Sequence, residues 1–279
     1  EGRGDLRAFV TETTPYFSII IPTYGRSQQL GKCLQSIAEL AYPLKRFEVI
    51  VVDDGNEVPP DAVVASYSRH LDLRLVSQQH AGPAVARNTG AAQAKGQFLA
   101  FTDDDCEPAV NWLRALAGYL VIRPDCAVGG RTVNALHDNP YSTASQLLIS
   151  YIYTYYNAVP ERARFFTSNN LAVSAEVFSA VDGFDTVYAR AAGEDRELCD
   201  RWRQQGYDLV YAPEAVVYHA HKLTLPTFWR QHFNYGRGAY QFRQARAQRT
   251  ADRIKIEPLD FYLALLTHAF RGRHRPGQP

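Results

Sequence analysis

The chain has 279 residues, 46% of them hydrophobic, and a formal net charge of +1. Such a length and apolar content allow one large α/β domain or two small ones, and a charge this close to zero gives no basis for a nucleic-acid partner. No run of about 20 apolar residues offers a membrane span, and the opening EGRGDLRAFV lacks the apolar core of a signal peptide.

In chain order, YFSIII (16–21) predicts a buried strand and PTYGR a turn. SQQLGKCLQSIAEL carries Leu30, Cys33, Leu34, Ile37 and Leu40 at helical spacing. FEVIVVDDG (47–55) is apolar almost throughout, as parallel strands covered on both faces are. LRLVSQQ is a shorter strand, GPAVARNTGAAQAKG (82–96) a helix between glycines, and QFLAFTDDD a fourth strand. Strands alternating with helices at this spacing predict an α/β fold with a mainly parallel, doubly wound sheet. AVNWLRALAGYL then predicts a helix and CAVGGRTVNAL a strand. YSTASQLLISYIYTYYN predicts a helix with Leu147, Leu148, Tyr151, Ile152 and Tyr155 on one face, a spacing that favours core packing over an acceptor surface. RFFTSNNLAVSAEVFSAVDGF reads as strand and helix, GEDRELCDRWRQQGY as an amphipathic helix, and LVYAPEAVVYHAH as strands. The expected organisation is one catalytic domain over 16–221, with a helical, basic and aromatic extension over 222–279 packed on it.

In an open parallel sheet, ligands bind beyond the carboxyl ends of the strands. Three strand ends carry polar groups: Pro22-Thr23-Tyr24, Asp53-Asp54 and Asp103-Asp104-Asp105. An isolated acidic triplet is ordinarily a solvated turn. Five carboxylates on one edge repel, however, unless a cation neutralises some and donors engage the rest. A nucleoside diphosphate held through Mg²⁺ or Mn²⁺ meets both needs. HAGPAVARNTG adds a helix start whose backbone N–H groups can receive anionic oxygens, and Arg87 in that helix pairs with either phosphate or a structural carboxylate. Glu194-Asp195 opens a helix, where acids are favoured by the dipole alone. His219 ends a strand and is either structural or a ligand to metal or phosphate. Neither GxGxxG nor GxxxxGK[ST] occurs, which disfavours dinucleotide oxidoreductases and P-loop enzymes.

Assembled in order, SIIIPTYGR (18–26), VIVVDDG (49–55), GPAVARNTG (82–90), FLAFTDDD (98–105), SNNLAVSAEVFSAVDGFD (168–185), GEDRELCDRWRQQGYDLVY (193–211) and VYHAH (217–221) resemble the family-2 glycosyltransferases. These are inverting enzymes with a single Rossmann-like, GT-A domain. The resemblance implies that Pro22, Thr23, Tyr24 and Arg26 line the donor site, with Thr23, Asp53 and Asp54 at the base, usually uracil. It implies that Asp103 faces the ribose or diphosphate and Asp105 binds a divalent metal, Mn²⁺ or Mg²⁺, that bridges the phosphates. Asp104 holds the variable middle place of the DxD motif, and Arg87 lies in the segment over the nucleotide. Asp195 matches the catalytic base and His219 a histidine that reaches metal or diphosphate in some relatives. Asn169, Asn170 and Glu194 shape the sugar and acceptor pocket.

The implied partners are a nucleotide-sugar donor and a saccharide or lipid-linked acceptor. QHFNYG has the Gln of the QxxRW motif but no RW, which counts against a processive polymerase. The aromatic, basic tail FWRQHFNYGRGAYQFRQAR is either an ordinary packed helix or a segment lying on a membrane surface. Cys33, Cys106, Cys126 and Cys199 stand far apart, which favours reduced thiols and a cytoplasmic setting, at the membrane face if the tail binds lipid. The lack of any methionine raises the expectation that flanking parts of the natural protein are missing. Two other readings remain: a sugar-1-phosphate nucleotidyltransferase, which PTYGRSQQL disfavours for want of a GxGxR-type turn, and a catalytically silent nucleotide-sugar-binding subunit, which has no need of a base.

Overall fold

A computed structural model describes residues 14–188, 192–251 and 253–271. The opening segment 1–10 and the last eight residues of the expected extension over 222–279 lie outside them. The strands are β1 (Phe17–Thr23), β2 (Phe47–Asp53), β3 (Leu73–Ser77), β4 (Phe98–Phe101), β5 (Cys106–Pro108), β6 (Ala127–Asn134), β7 (Leu171–Ser174) and β8 (Leu209–His219). The helices are α1 (Ser27–Ala38), α2 (Asp61–Tyr67), α3 (Pro83–Ala92), α4 (Trp112–Ile122), α5 (Pro140–Tyr156), α6 (Ala175–Ala180), α7 (Glu194–Gln204), α8 (Leu225–Thr250) and α9 (Leu259–Arg271).

The strands form one sheet in the order β3-β2-β1-β4-β7-β6-β8-β5. Four of the seven pairings are parallel; β7 runs antiparallel to both neighbours and β5 to β8. Alternation along β1 divides the core. Phe17, Ile19 and Ile21 face a cluster completed by α1 and α4, while Ile20 turns to the other face, where α7 contributes Leu198 and Trp202. Ser18 and Glu48 are fully enclosed there and satisfy each other: Ser18 donates to Glu48 at 2.7 Å, and Arg74 pairs with Glu48 at 2.8 Å. Buried polar groups left unpaired would cost far more than such bonds gain.

Three features were not foreseen. The short α2 lacks a strong period, and β5 has only three residues. Between Gly130 and Arg131 of β6 the register on β8 jumps from Ala212 to Val216, so β8 is one bulged strand rather than two. The bulge keeps β8 in register to its end, where His219 lies opposite both Asn134 and Cys106. The two glycines before it are required by close approach: a Cβ on Gly129 would meet the Phe166 ring at 2.0 Å, and one on Gly130 would meet the Ala215 carbonyl at 2.0 Å.

The expected apolar face of α5 needs correction. Of that face Tyr151 is deeply buried, as are Ser142, Ser145, Tyr153 and Tyr156 outside it, whereas Leu147 and Tyr155 are more than one-third exposed. Hydroxyl-bearing residues can face the interior because they find acceptors, as Ser142 does on the His221 carbonyl at 2.7 Å. Tyr151 and Tyr155 instead meet Phe261 of α9, with ring centroids 5.1 and 4.7 Å apart.

Candidate active site at the carboxyl edge of the sheet

The parallel strands β1, β2 and β4 deliver their polar ends to one place. Thr23 donates to Asp104 at 2.8 Å. Arg26, just past β1, spans the next two acids, at 3.0 Å from Asp104 and 2.7 Å from Asp105. Burial pushes Asp104 up to about 7 despite Arg26. Burial acts in the same direction on Asp105, but the charge and hydrogen bond of His219, with Arg26 behind them, hold it well below the usual carboxylate range.

His219 reaches Asp105 through the β5–β8 pairing, and its Nε2 lies 3.2 Å from the carboxylate. Burial lowers its basicity, yet the facing Asp105 raises the imidazole net above its ordinary value. Asp105, Cys106 and His219 could hold a divalent ion, with ligand atoms within 4.8 Å of one another. Cys106 is completely buried, and burial raises its thiol well above the usual range. The carboxylate and imidazole fit a hard-to-borderline cation such as Mn²⁺. His221 stacks on His219 with centroids 4.0 Å apart, and both of its ring nitrogens are buried without partners.

Asp53 and Asp54 are largely committed to the fold. Asp53 accepts from the Asn56 backbone at 2.9 Å and side chain at 2.7 Å. Asp54 accepts from Gln78 at 2.7 Å and from the backbone N–H groups of Ala81 and Gly82, each at 2.9 Å; His80 Nδ1 lies 3.0 Å away. The Ala81 and Gly82 N–H groups just ahead of α3 therefore serve an internal carboxylate. The same contacts bring His80 against Tyr24 in a stack 4.3 Å between centroids, with both side chains more than half exposed. A Cβ on Gly55 would strike the His80 backbone at 2.7 Å, so the turn after Asp54 must be glycine to let this loop close.

Arg87 joins two distant parts of the chain. It is 3% exposed and bonds Asp103 at 2.7 Å and Glu194 at 3.3 Å, and its guanidinium lies 5.5 Å from the centre of the Phe184 ring. A single cation thus ties the end of β4 to the start of α7. Gly193 takes the left-handed conformation, φ 100°, that turns the chain into this helix. Burial, with the charge of Asp195 added, raises Glu194 to about 7, and one of its oxygens has no partner. Burial raises Asp195 as well, opposed by its bond from the Arg196 N–H at 2.8 Å and by the Arg196 charge.

Arg26, Arg87, His219 and backbone N–H groups supply much of the compensation that the five strand-end carboxylates require. An external cation is therefore not the sole means of neutralising them. Pro22, which precedes Thr23 on β1, is partly buried. Asn170 departs from its expected place in a sugar pocket: it is fully enclosed, accepts from the Trp112 indole at 2.9 Å and donates to the Ala215 carbonyl at 2.9 Å. Asn169 accepts from Thr167 at 2.8 Å and Thr132 at 3.2 Å. Thr132 lies on a cleft of about 520 Å³ between β6 and α5, lined also by Asn134, Gln146, Tyr153 and Tyr211. The Arg87 bridge and the Tyr24–His80 stack escaped sequence reasoning, since each joins residues far apart in the chain.

A model described as Glycosyl transferase family 2 matches residues 18–182, and one described as Glycosyl transferase family group 2 matches 110–272. The chain is similar to Glycosyltransferase AglE of Haloferax volcanii, 28% identical over 234 residues that cover 83% of this chain and 75% of AglE. It is 30% identical over 241 residues to Pre-mycofactocin glycosyltransferase of Mycobacterium tuberculosis, covering 84% of this chain but only 49% of that relative, so it spans about half that protein's length. Among solved structures it resembles mannosyltransferase PcManGT from Pyrobaculum calidifontis in complex with GDP-Man and Mn²⁺, with a TM-score of 0.66 at 22% identity over 95% of this chain and 77% of that one. It also resembles S. aureus TarS 1-349 in complex with UDP-GlcNAc, with a TM-score of 0.63 at 18% identity over 92% of this chain and 73% of that one. These structural likenesses bear on the GT-A fold alone.

Proposed function

This chain belongs to glycosyl transferase family 2, and from that premise we propose that it transfers a sugar, with inversion, from a nucleotide-sugar donor to a hydroxyl of a saccharide or lipid-linked acceptor. The reading rests chiefly on the Asp103–Arg87–Glu194 bridge, which couples the strand-end acids to the helix start that carries Asp195. We assign Asp195 as the base. It takes the acceptor proton as the hydroxyl oxygen bonds the anomeric carbon; the bond to the diphosphate breaks, and the nucleoside diphosphate leaves with the electron pair. The carboxylate oxygen not engaged by the Arg196 N–H is the one for the proton. Thr23, Asp53, Asp54 and the Tyr24–His80 stack form the proposed nucleoside side, and stacking accepts any base. A uridine donor is our choice.

Asp105 and His219 would hold a divalent cation, whose chemistry is to stabilise charge gathering on the departing diphosphate. An imidazole in the set favours Mn²⁺ over the all-oxygen preference of Mg²⁺. Arg26 and Arg87 place two further permanent charges at this edge. The domain division at about 221 is also part of the proposal, as is a cytoplasmic setting at the membrane face. No helix among the described residues is long and apolar enough to cross a membrane. Leu225, Trp229, Phe233 and Tyr240, however, stand outward on α8 at 57%, 73%, 61% and 55% exposure, beside Arg230 and Arg237. An aromatic stripe flanked by arginines suits an anionic lipid interface.

The first test is a thermal-shift screen of UDP, GDP, dTDP, ADP and CDP, each with Mn²⁺ or EDTA, on wild type and Asp105→Ala. The expected result is a shift for UDP that needs both the metal and Asp105, because a ligand bound only to the native state raises its stability. No shift for any nucleotide refutes the donor site. A UDP-dependent shift without transfer or donor hydrolysis supports the silent-subunit reading instead.

A further inference from the structure

A second cavity, of about 440 Å³, lies between α7, α8 and the segment over 253–257. Seven of its fifteen lining residues are arginine or lysine and two are acidic, a surplus of five positive charges in a chain whose net charge is +1. Both acids are already engaged. Asp200 lies 2.7 Å from Arg249 and 3.4 Å from Arg246, and Glu257 accepts from the Tyr156 hydroxyl at 2.6 Å. No ion pair among the described residues involves Arg164, Arg196, Arg203 or Arg243. The guanidiniums of Arg164 and Arg196 lie over one ring, 5.5 and 5.2 Å from the centre of Tyr156, with Arg196 also 4.8 Å from that of Phe165. A purely solvated cationic face spreads its charges apart. Here they converge on a concavity and crowd one aromatic ring.

Guanidinium forks in that arrangement match the oxygens of a phosphate, to which they donate paired, charge-assisted hydrogen bonds. Arg196 is adjacent to Asp195 and bonds it through its own backbone N–H. We propose that this cavity, whose wall includes Arg196 next in sequence to Asp195, binds a phosphate or diphosphate group carried by the acceptor. The inference rests on the reading of Asp195 as the base, and it adds the chemical class of the acceptor. The phosphate belongs either to a soluble molecule or to an amphiphile, for which Ile256, 73% exposed, adds an apolar group to the cavity wall.

The test is calorimetric titration of the full chain, in EDTA, with octyl phosphate, inorganic phosphate and octyl glucoside. It uses wild type and Arg203→Gln/Arg243→Gln, two positions outside the proposed catalytic groups. Octyl phosphate is expected to bind wild type and to bind the double variant at least tenfold more weakly, while octyl glucoside binds neither. Inorganic phosphate binding as tightly as octyl phosphate identifies the head group alone as the ligand; weaker binding identifies an amphiphile. Equal octyl phosphate binding by wild type and variant, or binding by neither, overturns the proposal. The UDP–Mn²⁺ thermal shift on the double variant reports folding and the donor site. Loss of that shift in wild type defeats the donor reading and leaves phosphate binding standing, whereas loss of the arginine dependence alone defeats only the phosphate site.

Discussion

Arg87 is the residue on which both halves of the candidate site depend. Its guanidinium is 3% exposed and has a carboxylate on each side, so removing the cation leaves acids without compensation in a poorly solvated place. Arg87→Met is expected to destabilise the fold by about 3 kcal/mol, the scale of a broken buried pair, read as a lower urea midpoint. The acids beside it set a pH dependence of known sign. Glu194 is raised to about 7, while an unfolded glutamate titrates near about 4.3. Between those values the folded chain keeps a proton that the unfolded chain has lost, so stability falls as pH rises through the window and stays lower above it. Denaturation in EDTA at pH 5.5 and 8.0 should show this slope, to which Asp104, also raised to about 7, contributes with the same sign, and Glu194→Gln should reduce it. Asp195 is also raised, with Arg196 opposing the rise. Arg196→Met is therefore expected to move the acid limb of the kcat/KM profile upward by about one pH unit, the scale of losing a nearby opposite charge.

At the scale of elements, the contact between α8 and the turn before α7 decides whether Asp195 is held in place. A Cβ on Gly238 would lie 2.3 Å from the Ala192 carbonyl, and one on Gly193 would lie 2.9 Å from the Gly238 carbonyl. Two backbones meet there without side chains between them. Gly238→Ala must push α8 away, at a cost of about 1–3 kcal/mol for overpacking. Transfer is expected to fall while the UDP–Mn²⁺ thermal shift persists, because the nucleotide side lies on β1, β2 and β4. Equal loss of both would show that α8 supports the whole edge. The helical periods and the central strands were legible because each follows from neighbours in sequence. The three-residue β5 and the β8 bulge were not, since only pairing with a distant strand creates them.

At the scale of the whole molecule, the outward faces of α8 and α9 depart from an ordinary polar surface among the described residues. Leu259 and Leu266 of α9 are each 71% exposed, in addition to the aromatic stripe on α8. Large apolar patches of this kind mark interaction surfaces. Wild type is expected to sediment with vesicles containing anionic lipid, and Trp229→Glu/Phe233→Glu to lose at least tenfold in that association with its melting temperature retained. Equal sedimentation of the two would remove the lipid-surface reading. The proposal of an acceptor presented at an interface stands or falls with that measurement.

What the sequence determined by itself was the alternation of strands and helices, the α/β class, the carboxylate edge and the family, each written in local patterns of apolar and acidic residues. It also located Arg87, Asp195 and His219 without saying what each touches. Only the tertiary structure decided that Arg87 bridges Asp103 to Glu194, that Asp54 is occupied by the loop ahead of α3, that Asn170 belongs to the core, and that cations converge behind α7. Periodicity is a property of a few consecutive residues, whereas an ion pair spanning 107 positions exists only once packing has brought its members within reach and removed the water between them.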